Sequence, residues 1–423
     1  MPKLWFANIE EVFLDADTDE QGSLATKVSV WTPRFLFHAA PGDAVIVGNA
    51  VDQRFIAYAS AVSGFTSTLP VLFPTAEPRP FLLAEAVLAD RRLLDAAREL
   101  CRDGGWVLEP YLQTENALRV AAEIGIPGNP THNILIEEGL SQQLNDKLEC
   151  KRIAGHLGIE TIPGISANDL VGLRRAVKDA SQFHDGELML RKAQSAGGVG
   201  NLCGAPDELL PRLENWYSNG TVLIEPKLEL LETLGSLVDV ERHGPEFIGI
   251  DSQILENGGW VGFTYPFTDQ DIADQIHRES LAFGRAAHQL GGRGYLNLDW
   301  GIVRNDDGSR RAVLIECNFR HNGFSHLIDL GARLTGLNRG LLHARFLATL
   351  PVRPECGTFA GLHAALAGKI GKRSASLLLE PGVSEAGAVI ILPPEDGRAG
   401  IAIFAADARE AEAIDVAVRE RIS

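Results

Sequence analysis

The chain is poor in cysteine: Cys101, Cys150, Cys203, Cys317 and Cys356 are its only five in 423 residues. They are scattered and none stand in a C-x-x-C pair, so neither a zinc site nor a disulfide framework is indicated. No stretch is long and apolar enough to cross a bilayer. Met1-Pro2-Lys3-Leu4-Trp5-Phe6-Ala7-Asn8 lacks the charged segment and apolar core of a secretory leader, so a reducing cytoplasm is the expected location. Positive charge is scarce, with 39 Lys and Arg against 56 Asp and Glu and a formal net charge of -17. Such a surface repels nucleic acid and anionic membranes. It does not exclude a nucleotide, because a local positive pocket decides that. No G-x-G-x-x-G follows a strand, which removes a Rossmann-type oxidoreductase, and no G-K-S/T closes a phosphate loop of Walker type.

What is present begins with two apolar runs, Leu296-Asn297-Leu298-Asp299-Trp300-Gly301 and Leu314-Ile315-Glu316-Cys317-Asn318-Phe319-Arg320. Each reads as a buried strand with polar groups at alternate positions. Glu316, Asn318 and Arg320 fall at i, i+2 and i+4, so they leave one face. Cys317 then points the other way, as a small core residue. Acids, an amide and a guanidinium on neighbouring apolar strands are costly unless something neutralises them. A hard divalent cation with a bound polyphosphate would do so, since Mg²⁺ takes a few carboxylates plus substrate phosphates. Asp299, Glu316 and Asn318 are therefore the candidate metal ligands; the alternative is a structural polar cluster.

The length suggests about three domains, and 45% hydrophobic residues supply more than one core. Residues 1–140 read as an α/β unit, with a strand at 43–49, a helical stretch at 80–102 and extended chain at 106–111. Residues 141–350 carry the chemistry. They hold a capped helix from Asp146 to Gly158, strands at 187–192 and 222–225, a hairpin from Gly235 to Ile254, a helix at 280–290, the two opening runs, and a helix starting near His326. Leu350-Pro351-Val352-Arg353-Pro354 marks a boundary, and 351–423 reads as a small α+β appendage.

Lys192 ends a strand and enters Ala193-Gln194-Ser195-Ala196-Gly197-Gly198-Val199-Gly200-Asn201. Its glycines let backbone amides approach an anion. Taken alone, this loop reads as a flexible turn. Lys147 is a second candidate phosphate cation, although a single helix lysine is usually solvated. Glu225 ends an apolar strand and is followed by Pro226-Lys227-Leu228, whose backbone can face an adenine edge. Glu232 could accept from ribose hydroxyls. Arg320 could stabilise a developing oxyanion or simply pair with Glu316.

The order of these elements resembles the ATP-grasp superfamily, from Asp146-Lys147 through the Gly loop, Glu225 to Leu228, Glu232 and Asp299 to Glu316-Cys317-Asn318-Phe319-Arg320. The resemblance covers about 143–340. It implies two α+β subdomains gripping ATP, with an α/β pre-ATP-grasp domain before them and a small α+β domain after. It further implies that Lys147 and Lys192 contact the nucleotide, that Glu225 through Leu228 bind adenine and Glu232 the ribose, and that Ser195, Gly197, Gly198, Val199 and Gly200 close over the phosphates. Asp299, Glu316 and Asn318 would hold two Mg²⁺, for which Mn²⁺ could substitute. More loosely, the Gly48-Asn49 turn, Gly294 to Asp299, and Gly387 to Ile391 with Gly400 to Ile403 are similar to ATP-grasp peptide ligases of the pheganomycin type. The expected activity is an ADP-forming ligation of a small carboxylate to an amine, an amino acid or peptide, through an acylphosphate. Arg320, Lys192 and a Gly198 amide would serve the chemistry. A thiol or hydroxyl acceptor, a kinase-like phosphotransfer, and a non-catalytic nucleotide-binding module stay open. So does a homodimer, since such ligases are often dimers. His321-Asn322-Gly323-Phe324-Ser325-His326-Leu327 departs from the Gly-Thr-Thr-His-Pro-like run of similar proteins, so the acceptor does not carry over. The part that His321 and His326 take in acceptor binding stays open with it.

Overall fold

The computed structural model describes residues 1–13, 28–75, 80–129, 135–180, 186–195, 201–256, 258–368 and 376–423. Four strands open the chain: β1 (Lys3–Phe6), β2 (Ala44–Ile46), β3 (Val71–Leu72) and β4 (Val107–Pro110). They pair in parallel in the order β3-β2-β1-β4. Apart from β3, these strands are almost wholly buried, as expected when helices cover both faces of a parallel sheet. The helical stretch expected over 80–102 is two helices, Leu83–Ala89 and Arg91–Leu100. Asp90 leaves helical geometry between them and accepts hydrogen bonds from the Arg92 and Leu93 amides, capping the second helix.

A small antiparallel sheet follows: β5 (Ile165–Ala167), β6 (Leu188–Lys192), β7 (Leu202–Gly204) and β8 (Val222–Pro226), in the order β5-β8-β6-β7. Leu188, Leu190, Val222 and Ile224 pack with Leu173 and Val177 of the helix Leu170–Ala180.

The third sheet is antiparallel and eight-stranded. It comprises β9 (Glu232–Glu241), β10 (Gly244–Glu256), β11 (Gly259–Tyr265), β12 (Gly294–Arg304), β13 (Arg310–Asn318), β14 (His343–Pro351), β15 (Gly387–Glu395) and β16 (Arg398–Ala405). Their order is β13-β12-β9-β10-β11-β14-β16-β15. The two strands beyond residue 351 thus extend this sheet through β14, and the Ile390 amide donates to the Tyr58 hydroxyl of the N-terminal unit at 3.0 Å. One face of β9 and β12 is covered by the helix Gln270–Gln289, which starts ten residues earlier than the sequence suggests. Its stripe Ile272, Ile276, Phe283 and Ala287 packs with Val238, Leu298 and Trp300. Ser280 shares the stripe because it is satisfied there: its hydroxyl meets Ser236 Oγ at 2.8 Å, which also takes the Trp300 Nε1 proton at 2.9 Å.

On β9, Asp239 is paired with Tyr295 and lies near Glu241, Glu246 and Asp329. Burial, then these acids, push its carboxyl up to about 6. The folded state therefore keeps a proton that the unfolded chain releases near pH 4. This contribution is present below pH 4 and lost as pH rises through 6. Asp239→Asn is expected to raise the melting temperature at pH 8 and leave it unchanged at pH 4. Melts at both values check this; an equal shift at both would refute the assignment.

Candidate active site

The face of the large sheet away from the helix Gln270–Gln289 carries one row of acids. Register places Asp251 of β10 opposite Gly235 of β9, Gly235 opposite Asp299 of β12, and Asp299 opposite Glu316 of β13. Gly235 is the gap that admits the row: a Cβ there would lie 2.5 Å from Asp251 Oδ1. Glu316 reaches the row through a bulge, since Asp299 pairs with Glu316 but Trp300 with Leu314. The extra residue, Ile315, flips the parity of β13. Leu314 and Cys317 then both face the core under the helix, while Glu316 and Asn318 face the acids.

Amides bridge the carboxylates. Asn318 Nδ2 donates to Asp299 Oδ2 at 2.7 Å and to Glu316 Oε1 at 3.4 Å, and Asn297 and Gln253 donate to Asp299 Oδ1 at 2.8 Å each. Burial, then the neighbouring Glu316 charge, push Asp299 up to about 7. Burial, with Asp299 adding, holds Asp251 well above the carboxylate range. Burial works upward on Glu316 too, but Lys147, Arg191 and Arg320 outweigh it and hold that carboxyl below its ordinary value.

Cations come from two other elements. Asp146 caps the helix Lys147–Leu157 by accepting from the Leu148 and Glu149 amides, and the Lys147 amide donates to Ala193 at the end of β6. This fixes Lys147 between the sheets. Its Nζ lies 3.4 Å from Glu316 Oε2 and donates to the Ser195 carbonyl. Arg191 of β6 bridges two acids: its Nε and Nη2 reach Glu225 Oε2 at 2.8 Å, and Nη1 reaches Glu316 Oε2 at 3.3 Å. Lys151 also pairs with Glu225. Arg320 Nη1 donates to Asn145 Oδ1 at 2.7 Å, and its buried Nε has no partner. Beside Arg320 opens a cavity of about 400 Å³, lined in part by Ser195, Gln194 and Asn145.

Lys147, Ser195, Asp299, Glu316 and Asn318 thus form one connected site, with Arg320 beside it and Glu225 joined through Arg191. Arg320 holds Asn145 rather than forming an ion pair with Glu316. Lys192 lies on the opposite face of β6 and donates to Ser218 Oγ at 3.1 Å. Lys227 is on the surface with Glu187 at 2.6 Å, Pro226 ends β8, Leu228 packs near Val303 and Val313, and Glu232 begins β9. The Glu225 carboxylate is committed to Arg191 and Lys151, so β8 has its backbone to offer a base. Gly197, Gly198, Val199 and Gly200 lie outside the described residues. The histidines turn into the N-terminal core. His321 Nε2 is 3.4 Å from Glu109 Oε1, and His326 stacks on His38 at 4.1 Å. Burial pushes His38 and His326 well below the usual imidazole range.

Sequence reasoning missed Asp251, Gln253, Arg191, Lys151, Asn297 and Asn145. Asp251 had a signal, as a lone acid after the apolar Phe247-Ile248-Gly249-Ile250. Arg191 did not: of two adjacent basic residues on a strand, alternation says only that they part.

Residues 32–126 match the pre-ATP-grasp domain family model. Solved structures align along nearly the whole chain. The biotin carboxylase domain of Hydrogenobacter thermophilus 2-oxoglutarate carboxylase, holding MgADP, ADP and bicarbonate, is 14% identical with a TM-score of 0.61, over 100% of this chain and 90% of that one. Carboxyaminoimidazole ribonucleotide synthase of Aspergillus clavatus, complexed with ATP, is 14% identical with a TM-score of 0.56, over 100% and 99%. N5-carboxyaminoimidazole ribonucleotide synthetase of Thermus thermophilus is 13% identical with a TM-score of 0.57, over 99% and 98%. The chain has the ATP-grasp fold. No curated protein sequence matches it.

In this ATP-grasp fold the small sheet and the large sheet meet at Arg191, Lys147 and Glu316. The donor set there suits Mg²⁺: two carboxylates and an amide that has an oxygen to give, with Asp299 driven upward by burial and then by the charge of Glu316. No group of three or more His, Cys, Asp or Glu forms a metal cluster among the described residues. A cation held by two carboxylates and one amide would fill its shell with phosphates and water, as Mg²⁺ ordinarily does.

Proposed function

We propose that the protein is an ADP-forming, ATP-dependent ligase that joins a small carboxylate to an amine, an amino acid or peptide, through an acylphosphate. The observation that carries this reading is the single connected array from Lys147 and Arg191 through Glu316, Asn318 and Asp299, with Arg320 and a ligand-sized cavity beside it. The similar structures hold ADP or ATP, which supports a nucleotide between the two sheets.

Lys147 supplies a buried positive charge for the phosphates, and the backbone from Glu225 to Leu228 is offered to the base, with Glu232 to the ribose. Asp299, Glu316 and Asn318 would hold Mg²⁺. When bound, the metal neutralises triphosphate charge against the incoming carboxylate. Arg320, fixed by Asn145, presents its guanidinium toward the cavity, where the carbonyl oxygen gains charge as the amine attacks. The protein's part is placement and charge neutralisation, as phosphoryl transfer requires. An amine that arrives neutral needs no strong base, because phosphate is a good leaving group.

The test is phosphate and ADP release from Mg-ATP against pooled amino acids, peptides and small carboxylates, with mass spectrometry of positive pools. A new mass equal to two components minus water is the expected result. A thioester or ester product would replace the amine acceptor, a phosphorylated substrate would replace the ligation, and ATP binding without turnover in any pool would point to a substrate outside the pools or to a non-catalytic nucleotide-binding module.

A further inference from the structure

The cavity beside Arg320 has walls of opposite character. One wall comes from the helix Leu140–Leu144 with Asn145, joined by Ser195 and Arg320. The other comes from the loops that leave the carboxyl ends of β1 and β4, where open parallel sheets present ligand sites. On that second wall stands Glu11, 3% exposed and yet lining the cavity. Its Oε1 accepts from Asn8 Nδ2 at 3.0 Å and its Oε2 from Asn116 Nδ2 at 3.2 Å, and the Thr114 hydroxyl adds a third neutral donor. No Lys, Arg or His pairs with Glu11 among the described residues. Of the other buried acids of the site, Glu225 holds Arg191 and Lys151 and Glu316 holds Lys147 and Arg191, while Asp299, like Glu11, is held by neutral amides, those of Asn318, Asn297 and Gln253. A buried carboxylate without a cation is costly, and burial accordingly raises the Glu11 pKa against the pull of its neutral donors.

We propose that Glu11 makes this cavity selective for a substrate that carries a protonated nitrogen, an ammonium or guanidinium, set apart from the carboxylate that Arg320 receives. The carboxylate half rests on the ligase reading above. The cation half rests on the cavity alone. Glu11 is a specificity-determining residue here and takes no part in the transfer itself. A cavity of about 400 Å³ holds a charged amino acid with room to spare.

The test uses two charge-different, size-matched pairs, arginine with citrulline and lysine with 6-hydroxynorleucine. Binding to the full chain is titrated calorimetrically with Mg²⁺ and a non-hydrolysable ATP analogue, and ADP release is followed in parallel with Mg-ATP. The wild type is expected to bind the cationic member of at least one pair 10-fold or more tightly than its neutral partner. Glu11→Gln keeps the shape and should erase that preference, while Glu11→Asp keeps the charge and should retain part of it. Equal binding within both pairs, a preference that survives Glu11→Gln, or no binding by any of the four would overturn the proposal. The two readings separate cleanly. A preference without ADP release leaves Glu11 in place and counts against the ligase; ADP release without a preference removes Glu11 alone.

Discussion

Glu316→Gln is expected to lower ADP formation by about 10²–10³-fold, the range seen when one preorganised electrostatic partner is removed from a site. The change keeps the volume of the side chain and deletes its charge, and two losses coincide. The oxygen pair that would serve the metal becomes an amide. Lys147 also loses the carboxylate that sustains it: burial pulls the Lys147 pKa down, and Glu316, at 3.4 Å, is the main influence pushing it back. Without that carboxylate the buried ammonium is driven further toward its neutral form, so the phosphates lose a cation as well. Arg191 still has Glu225 and holds its place. The glutamine variant is preferred to alanine because truncation would add a cavity to the loss of charge. Melting and ATP titration alongside the rate keep fold and chemistry apart. A folded Glu316→Gln variant with normal turnover would sink the metal assignment and the role given to Lys147 together.

The acids of this site were legible in the sequence to different depths, and the reason is local geometry. Asp299, Glu316 and Asn318 show because they interrupt apolar strands in period two. The same period fails two residues upstream of Glu316: Leu314 should share its face, and only the bulge at Ile315 sends Leu314 to the core. A bulge is a property of pairing, not of one strand, so no reading of β13 alone could show it. Asp251 shows as a lone acid after an apolar run, but its place in the row lies further from reach. Its place depends on β10, β9, β12 and β13 coming into one register, with Gly235 leaving the space. The helix carrying Lys147 was readable from both ends, by the Asp146 cap and by Gly158, which sits in the left-handed conformation at φ 70°. The placement of β15 and β16 was not, because a strand pattern says nothing about which sheet edge it will join. They complete a sheet begun at residue 232 and share a core with the N-terminal unit, where Phe359 packs on Phe55 at 5.4 Å.

Arg191→Met is expected to cost about 3–5 kcal/mol of stability, the penalty for leaving a buried charge without its partner. Arg191 is 6% exposed and touches both sheets, holding Glu225 of β8 and, across the cleft, Glu316 and the Ile315 carbonyl of β13. Removing it leaves the Glu225 carboxylate, itself 1% exposed, with Lys151 alone. Methionine fills part of the volume but supplies no donor. The urea midpoint reads the loss, and a shift worth less than about 1 kcal/mol, the scale of a surface pair, would show that this bridge is no more than decorative. Two further variants separate stability from function. Arg191→Lys keeps the charge without the planar fork, and should recover part of the stability because one ammonium cannot serve both acids as the guanidinium does. Arg191→Met combined with Glu225→Met removes both members of the pair and should recover most of the stability, since an apolar replacement of a buried ion pair is often neutral or better. That double variant still lacks the link between the small sheet and Glu316. If it is stable and yet binds ATP at least about tenfold more weakly, a difference of about 1.4 kcal/mol, the bridge serves to hold the two sheets in register around the nucleotide. If it is stable and binds ATP as the wild type does, Arg191 is only a structural counter-ion, and the grip on the nucleotide falls to Lys147 and the acids of the large sheet.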